Sequence, residues 1–199
     1  MTTELTQQAT REHTIRRKAT IEEFWALPES ILPTEYISGE IIMAPTPTPS
    51  HQAVLREIVV ALYEFVRRNN AGDLFFSPLD VVLPTGEVVQ PDLFLLSDEE
   101  SEKARSAKRV HGAPLLAVEI LSPGSIRHDT ITKRNLYERN GVREYWIVDP
   151  EAGTIAQLVL QGEHYALTEL AESDTIRSAV LTGFEMAVGE LLASGVSRR

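Results

Sequence analysis

The chain contains no cysteine, so disulfide bridges and thiolate metal sites are excluded. Any metal site must therefore use oxygen or histidine ligands, and the lack of cysteine favours a reducing cytoplasm. No apolar stretch approaches the length of a membrane span, and the N-terminal sequence lacks the basic and then apolar pattern of a secretion signal. We therefore expect a cytoplasmic protein without a membrane partner.

Positive charge is also scarce. The chain has 19 Lys and Arg against 29 Asp and Glu, which gives a formal net charge of −10. An acidic surface repels phosphates at long range, which argues against unspecific adhesion to nucleic acid. The charge is uneven, however, because residues 127–144 carry five basic and three acidic side chains. A local basic face can therefore exist on an acidic protein.

Several signatures of enzyme chemistry are missing. The sequence has no Gly-x-Ser-x-Gly elbow, no glycine-rich phosphate loop and no dinucleotide fingerprint. It also has no zinc module of paired cysteines or clustered histidines. These absences argue against a serine or cysteine nucleophile, a nucleotide-binding loop and a zinc module.

The length and composition suit one compact domain. The chain has 199 residues, of which 43% are hydrophobic, enough to form a core. Residues 1–18 are polar and carry no apolar periodicity, so we expect a flexible N-terminal arm. Residues 19–199 are then a single domain.

Periodicity, capping residues and turn residues predict the elements of this domain. The predicted helices are 21–26, 51–68 with Ser50 as N-cap, and 128–140 with Gly141 as its left-handed stop. The predicted strands are a hairpin at 36–43, then 79–83, 88–96, 115–121, 144–148 and 154–160. Residues 97–110 suit a surface loop or short helix. The order predicts an α/β fold with a mixed β-sheet flanked by α-helices, preceded by an N-terminal hairpin extension.

Two acids stand in apolar surroundings. Glu119 lies in the middle of the predicted central strand 115–121, and Asp92 follows Pro91 in the strand upstream. An ionised acid buried without a partner is costly, so something must meet Glu119. If the two strands are neighbours, both carboxylates can converge on one hard divalent cation, with the carbonyl of Ile120 as a further ligand.

A lysine follows on the next predicted helix. Asp129, Lys133 and Tyr137 recur at i, i+4 and i+8, so they share one helix face. Lys133 can then reach back over the end of the Glu119 strand. An ammonium there could orient an attacking water or neutralise charge that develops on a phosphate.

Six segments of the sequence together carry a family resemblance. They are Gly39-Glu40, the proline-rich run ending at Ser50-His51-Gln52, Val89-Gln90-Pro91-Asp92, Val118-Glu119-Ile120-Leu121-Ser122-Pro123, the Asp129, Lys133 and Tyr137 helix, and Gly141-Val142-Arg143-Glu144-Tyr145-Trp146. The chain resembles the Uma-type restriction-endonuclease-like family over roughly residues 21–160. This family belongs to the PD-(D/E)XK nuclease superfamily and was long known as a domain of unknown function.

The resemblance implies a restriction-endonuclease-like fold and a Mg²⁺- or Mn²⁺-dependent endonuclease that acts on DNA. Asp92 and Glu119 match the acidic metal ligands. The superfamily lysine follows the second acid by two positions, where this chain has Leu121. Similar family members supply the lysine from the next helix, which implies Lys133 as the third catalytic residue.

Three further residues are candidates for supporting roles near the metal or substrate. The resemblance brings in Glu40 and His51, although residues on an exposed hairpin or at a helix start more often face solvent. Gln90 shares the strand face of Asp92 at i, i+2 and could contact substrate or water.

Simpler interpretations stay open. Glu119 and Lys133 could form a buried salt bridge without any metal, and Lys133 could pair with Asp129 on a solvated helix face. Asp92 could cap a strand or bond a turn amide. The corresponding function is a non-catalytic binding or assembly protein, pairing as a homodimer through an exposed hairpin at 144–160. The net charge favours this alternative, and the Asp, Glu and Lys set favours the enzyme; a hydrolase of small phosphoesters is a third hypothesis.

Overall fold

The computed structural model describes residues 14–28 and 32–193. The helices are α1 Ile21–Trp25, α2 Pro49–Asn69, α3 Asp98–Arg105, a π-helix at His128–Lys133 that continues into α4 Arg134–Asn140, and α5 Val188–Leu192. The predicted capping box before α1 is confirmed, with Thr20 and Glu23 each bonding the other's backbone amide. No helix in these two ranges is long and apolar enough to cross a membrane.

Strands make up most of the remaining structure. They are β1 Ile15–Lys18, β2 Thr34–Ile37, β3 Glu40–Met43, β4 Asp73–Phe76, β5 Val81–Val82, β6 Val88–Val89, β7 Leu93–Leu96, β8 Val110–His111, β9 Leu116–Ile120, β10 Glu144–Asp149, β11 Thr154–Gln161, β12 His164–Ala171, β13 Thr175–Arg177 and β14 Glu185–Ala187. They form two six-stranded sheets and one hairpin within the described residues.

The central sheet has the strand order β12-β11-β10-β9-β7-β4. β9 is parallel to β10 and antiparallel to β7, and all five of its residues are buried. The prediction of a buried central strand around Glu119 is therefore confirmed. Side chains alternate between the two faces of this strand, so Val118 and Glu119 point to opposite layers.

The central sheet separates two cores. On one face, apolar residues of α2 and α5 pack against β7, β9 and β10, including Ile58, Leu62 and Val118. On the other face, α4 and the second sheet cover residues such as Phe94, Ala117 and Tyr145. The second sheet, called here the N-terminal sheet, has the order β1-β3-β2-β6-β5-β8 and contains the predicted N-terminal hairpin.

The N-terminal arm and the start of α2 differ from the prediction. Residues 15–18 form β1, which pairs with β3, so they are not part of a loose arm; residues 1–13 of that predicted arm lie outside the described ranges. α2 begins at Pro49 with Thr48 as its N-cap, because the Thr48 side chain accepts the amide of His51 at 3.2 Å. The proline at the first turn needs no backbone donor, which makes this start favourable.

The predicted strand 88–96 is split at Pro91. Val88–Val89 pairs within the N-terminal sheet, whereas Leu93–Leu96 belongs to the central sheet. Proline lacks an amide hydrogen, so a ladder is readily interrupted there. The break places the segment from Gln90 to Asp92 at the junction of the two sheets.

The C-terminal half contains more strands than predicted, and this changes the proposed pairing surface. The hairpin of β10 and β11 is interior, because β9 lies on one side and β12 covers the other. The hypothesis of an exposed pairing hairpin at 144–160 is therefore wrong. On this side, the edge strand of the central sheet is β12.

Candidate active site

Asp92 and Glu119 lie opposite each other on neighbouring strands. Leu93 of β7 pairs with Val118 of β9 in antiparallel register, so Asp92 and Glu119 are the next pair along. Both side chains line one cavity of about 70 Å³ at the junction of the two sheets. The structure thus brings together the two acids that the sequence singled out.

Asp92 is held by two donors. Its Oδ2 accepts the Ile120 amide at 2.8 Å and Nε2 of His51 at 3.0 Å. His51 is only 6% exposed, so the expectation of a solvent-facing histidine is wrong. Burial lowers the pKa of His51, but the hydrogen bond and charge of Asp92 outweigh burial and the net shift is upward.

Lys133 lies at the centre of an acidic cluster. Its Nζ is 2.8 Å from Glu119, 2.9 Å from Glu35 and 3.7 Å from Asp129. The side chain is buried, which rules out the simpler interpretation of a pair on a solvated helix face. Burial lowers the pKa of Lys133, but the neighbouring carboxylates outweigh it and raise the pKa well above its usual value.

Glu35 is a member of the cluster that the sequence analysis missed. Its carboxylate accepts His128 Nε2 at 2.7 Å and the Gln90 amide at 2.9 Å, and it contacts Lys133. Burial raises the pKa of Glu35, but Lys133 and His128 together lower it to about 2. The sequence does indicate this burial: Glu35 lies two residues before Ile37, and residues at i and i+2 share one face of a strand, here the inward face of β2.

The π-helix explains how one segment supplies two partners to Glu35. His128 and Lys133 are five residues apart, which in an α-helix would separate them by about 140° around the axis. In a π-helix, residues i and i+5 are joined by the backbone hydrogen bonds and lie on one face. Both side chains therefore reach the same carboxylate, one at each oxygen.

Glu119 is the buried acid that contacts both Lys133 and Tyr137. Its Oε1 accepts Lys133 Nζ at 2.8 Å and the Tyr137 hydroxyl at 2.8 Å. Burial raises the pKa of Glu119 well above its usual value, and the nearby acids Asp129, Asp92 and Glu35 add to the rise, although Lys133 opposes it. Three carboxylates contact Lys133, and Asp92, which pairs with His51, lines the same cavity; so many acids in one place favour an additional cation.

Gln90 links this cluster to the outer part of the N-terminal sheet. Its amide nitrogen donates to Glu35, and its Nε2 donates to Asp80 at 2.8 Å. Its Oε1 is buried and accepts no hydrogen bond from the described residues. The structure therefore brings Gln90 to the site, mainly through its backbone.

Glu40 lies outside the cluster. Its carboxylate is 3.6 Å from Arg16 on the neighbouring strand β1, and the side chain is 35% exposed. It does not line the cavity that holds Asp92 and Glu119. Of the six candidate residues, Glu40 alone is placed away from the site by the structure.

The residues of the cavity fit a hard divalent cation. Within the described ranges, no three or more His, Asp and Glu side chains are arranged as a metal centre. Asp92 Oδ1 and Glu119 Oε2, however, accept no hydrogen bond from the described chain, because the bonds above fall on the other oxygens. Two carboxylates with retained waters are a donor set that Mg²⁺ uses. A cavity needs only about 10–15 Å³ for one water, so there is room for ion-bound waters.

The sequence also matches a family model over most of its length. The model is Uma2, described as "Putative restriction endonuclease", and it matches residues 21–189. The chain belongs to the Uma2 family. No curated protein matches the sequence.

The fold of this Uma2 protein is shared with a solved structure. A crystal structure from Anabaena variabilis ATCC 29413, described as a "putative nuclease belonging to DUF820", superposes with a TM-score of 0.78. The match covers 89% of this chain and 99% of that chain at 21% sequence identity. The predicted restriction-endonuclease-like α/β fold is confirmed by this likeness and by the family match.

Proposed function

We propose that this protein is a Mg²⁺- or Mn²⁺-dependent endonuclease that hydrolyses phosphodiester bonds in DNA. The observation that carries the proposal is the meeting of Asp92 and Glu119 across adjacent strands, with Lys133 2.8 Å from Glu119. The description of the Uma2 family supports the reaction class. The chain has no cysteine and no Gly-x-Ser-x-Gly motif, so it lacks a cysteine nucleophile and a serine elbow.

Asp92 and Glu119, with the carbonyl of Ile120, are the groups that would hold the ion. When bound, such an ion polarises a phosphoryl oxygen and lowers the pKa of a bound water. The protein keeps both acids in place: the Ile120 amide and His51 hold Asp92, while Tyr137 holds Glu119. Fixed ligands of this kind support tight and selective metal binding.

Lys133 supplies a fixed positive charge beside the two acids. Its raised pKa keeps the ammonium charged at neutral pH, since three carboxylates favour the protonated form. Glu35 and His128 in turn hold the ammonium in position. A charge that is already oriented stabilises negative charge on a phosphate without reorganisation in the transition state.

The supporting residues divide by their contacts. His51 positions Asp92 through its 3.0 Å hydrogen bond. Gln90 positions Glu35 through its backbone amide at 2.9 Å. Glu40 is not assigned a role in the reaction, because it contacts Arg16 outside the cavity.

Calorimetric titration with Mg²⁺ and Mn²⁺, together with nicking of supercoiled plasmid, tests the proposal. Wild-type protein should bind either ion and nick the plasmid, and Glu119→Gln should lose both properties. Asp80→Asn is the matched control, because Asp80 is an acid bonded to Gln90 but does not line the cavity. Lys133→Gln should keep metal binding better than nicking.

Two results would contradict the endonuclease proposal. Wild-type protein that binds neither ion and nicks no DNA would end the nuclease proposal. Metal binding with hydrolysis of small phosphoesters, but not of DNA or RNA, would move the assignment to a small-molecule phosphoesterase.

A non-catalytic binding protein is the second candidate. The observation that favours it is the complete pairing of Glu119 Oε1 with Lys133 and Tyr137, which stabilises the acid without a metal. The net charge of −10 points the same way. Assembly as a homodimer belongs to this candidate as well as to the enzyme, and analytical ultracentrifugation of the wild-type protein tests it.

A further inference from the structure

The N-terminal strand β1 borders the candidate active site. Arg16 Nη2 is 3.1 Å from Nδ1 of His128. Two residues earlier, the Thr14 hydroxyl donates to the carbonyl of Gly124 at 3.0 Å, in the loop that precedes the π-helix. β1 and the residue before it therefore contact the loop and helix that supply Asp129 and Lys133.

The contact with Arg16 determines the tautomer of His128. Arginine has only donor groups, so Nδ1 of His128 is the acceptor in this pair. The proton of the neutral ring then lies on Nε2, which donates to Glu35 at 2.7 Å. Arg16 is thereby joined to Lys133 through His128 and Glu35.

Much of the Arg16 guanidinium is still available for another partner. The side chain is 42% exposed, and its Nη1 is 3.6 Å from Glu40, which is longer than a hydrogen bond. Exposed ion pairs contribute little to stability, so a stronger acceptor can displace Glu40. A phosphate is such an acceptor, because its oxygens match the planar fork of arginine.

The net charge of the protein also favours a phosphate contact at Arg16. At a net charge of −10, DNA approaches only where cations are concentrated. β1 has the sequence Ile-Arg-Arg-Lys, and Arg16 and Lys18 share its exposed face. Arg127, which is exposed, directly precedes His128 in the chain.

On the basis of the proposed endonuclease function, the geometry points to Arg16 as a phosphate-binding residue. Its guanidinium contacts a backbone phosphate of DNA next to the cavity and exchanges Glu40 for that phosphate. Glu40 then acts as a competitor for the substrate-binding arginine. This contact carries no sequence preference, because phosphates are the same at every base pair.

The test is the salt dependence of DNA binding. A fluorescent DNA duplex is titrated with protein over a series of KCl concentrations, in EDTA and again in Ca²⁺. Arg16→Gln should weaken binding of unrelated sequences equally and reduce the slope of log K against log salt by about 0.9, the contribution of one phosphate contact. Arg16→Lys should keep the slope, and Glu40→Gln should tighten binding.

The hairpin of β13 and β14 provides a matched control. Arg177 and Glu185 form a cross-strand ion pair at 3.2 Å with both side chains exposed, and neither lines the cavity. Arg177→Gln and Glu185→Gln change the net charge by the same amounts as the test variants. Both controls should leave the salt slope and affinity close to wild type.

The outcomes separate the two proposals. If wild type binds and nicks DNA but Arg16→Gln has an unchanged salt slope, Arg16 only positions His128 and the phosphate contact is overturned, even if nicking becomes slower. If wild type binds no DNA, both the endonuclease and the contact are overturned. Thermal unfolding shows whether Arg16→Gln folds; if it does not, the affinity of Glu40→Gln decides, and an unchanged value overturns the contact.

Discussion

The Asp92 carboxylate accepts a hydrogen bond from the backbone amide of Ile120 at 2.8 Å. One of the two candidate metal ligands is thus tied to the residue that follows the other. The bond uses Oδ2, the oxygen that also accepts His51, so Oδ1 is the oxygen left for a metal ion. A shift of either strand would therefore change both carboxylates together.

Asp92→Asn should keep the fold and lose the response to metal. Asparagine can still accept the Ile120 amide through its carbonyl oxygen, but it has no charge for a hard cation. At 100 times the dissociation constant, bound Mg²⁺ stabilises wild type by about 2.7 kcal/mol, or about 5–10 °C in unfolding temperature. Thermal unfolding with and without Mg²⁺ should show this rise for wild type and none for the variant; an equal rise in both would contradict the ligand role.

Lys133→Met should destabilise the protein strongly at neutral pH. Removing the only lysine of the cluster leaves buried carboxylates without compensation, which costs about 3–5 kcal/mol. Urea unfolding measures this loss, and Lys103→Met, at an exposed ion pair on α3, is the control. The double variant Lys133→Met with Glu119→Gln should recover part of the stability. If Lys133→Met were as stable as the control Lys103→Met, the cluster would not depend on Lys133.

Glu35 should make the protein sensitive to acid. Its pKa is lowered from an ordinary 4.5 to about 2, so the ionised form is favoured by folding. A lowered pKa contributes stability that is complete above about pH 5 and is lost as the pH falls toward 2. The shift corresponds to about 3 kcal/mol, more than half of which is gone by about pH 3.

The measurement is the free energy of unfolding of wild type minus that of Glu35→Gln between pH 7 and pH 3. This difference should shrink as the pH falls, since glutamine has no proton to gain. Glu35 also helps to raise the pKa of Glu119, so both proteins carry Glu119→Gln in this comparison, which removes that second proton uptake. A difference that stays constant over this range would show that Glu35 is not held as an anion.

Sequence patterns could find the two acids and the lysine but not the fourth member of the cluster. Glu119 and Asp92 stand out because a carboxylate in an apolar strand has few explanations. Glu35 lies in a short hairpin strand, where an acid usually faces solvent. It becomes buried only because the break at Pro91 joins the two sheets over it, which is a tertiary effect.

Local periodicity also failed where the backbone departs from regular geometry. The 3.6-residue period places Asp129, Lys133 and Tyr137 on one face, and these contacts are found. It places His128 on another face, and only the π-helix turns His128 toward Glu35. The edge strand β1 was missed because its basic residues show no apolar alternation, and the hydrogen bonds to β3 supply its order.

Glu144→Gln should separate stability from function. Glu144 is fully buried at the far end of β10, where its oxygens accept Trp146, Gln157, Ser178 and two backbone amides. The NH₂ group of glutamine is a donor and would face the groups that now donate to Glu144. Each group left without an acceptor should lower the free energy of unfolding by about 1–3 kcal/mol. Urea unfolding should show the loss while Mg²⁺ affinity stays at the wild-type value. A parallel loss of affinity would mean that the metal response only reports global stability.

Anomalous diffraction from a crystal soaked in Mn²⁺ tests the metal site most directly. A metal-dependent active site should give one strong anomalous peak in contact with Asp92 Oδ1 and Glu119 Oε2, and no such peak in a crystal of Glu119→Gln. A Mn²⁺-soaked wild-type crystal with no peak there, and Lys133 still bonded to Glu119, would contradict a metal-dependent active site at this position.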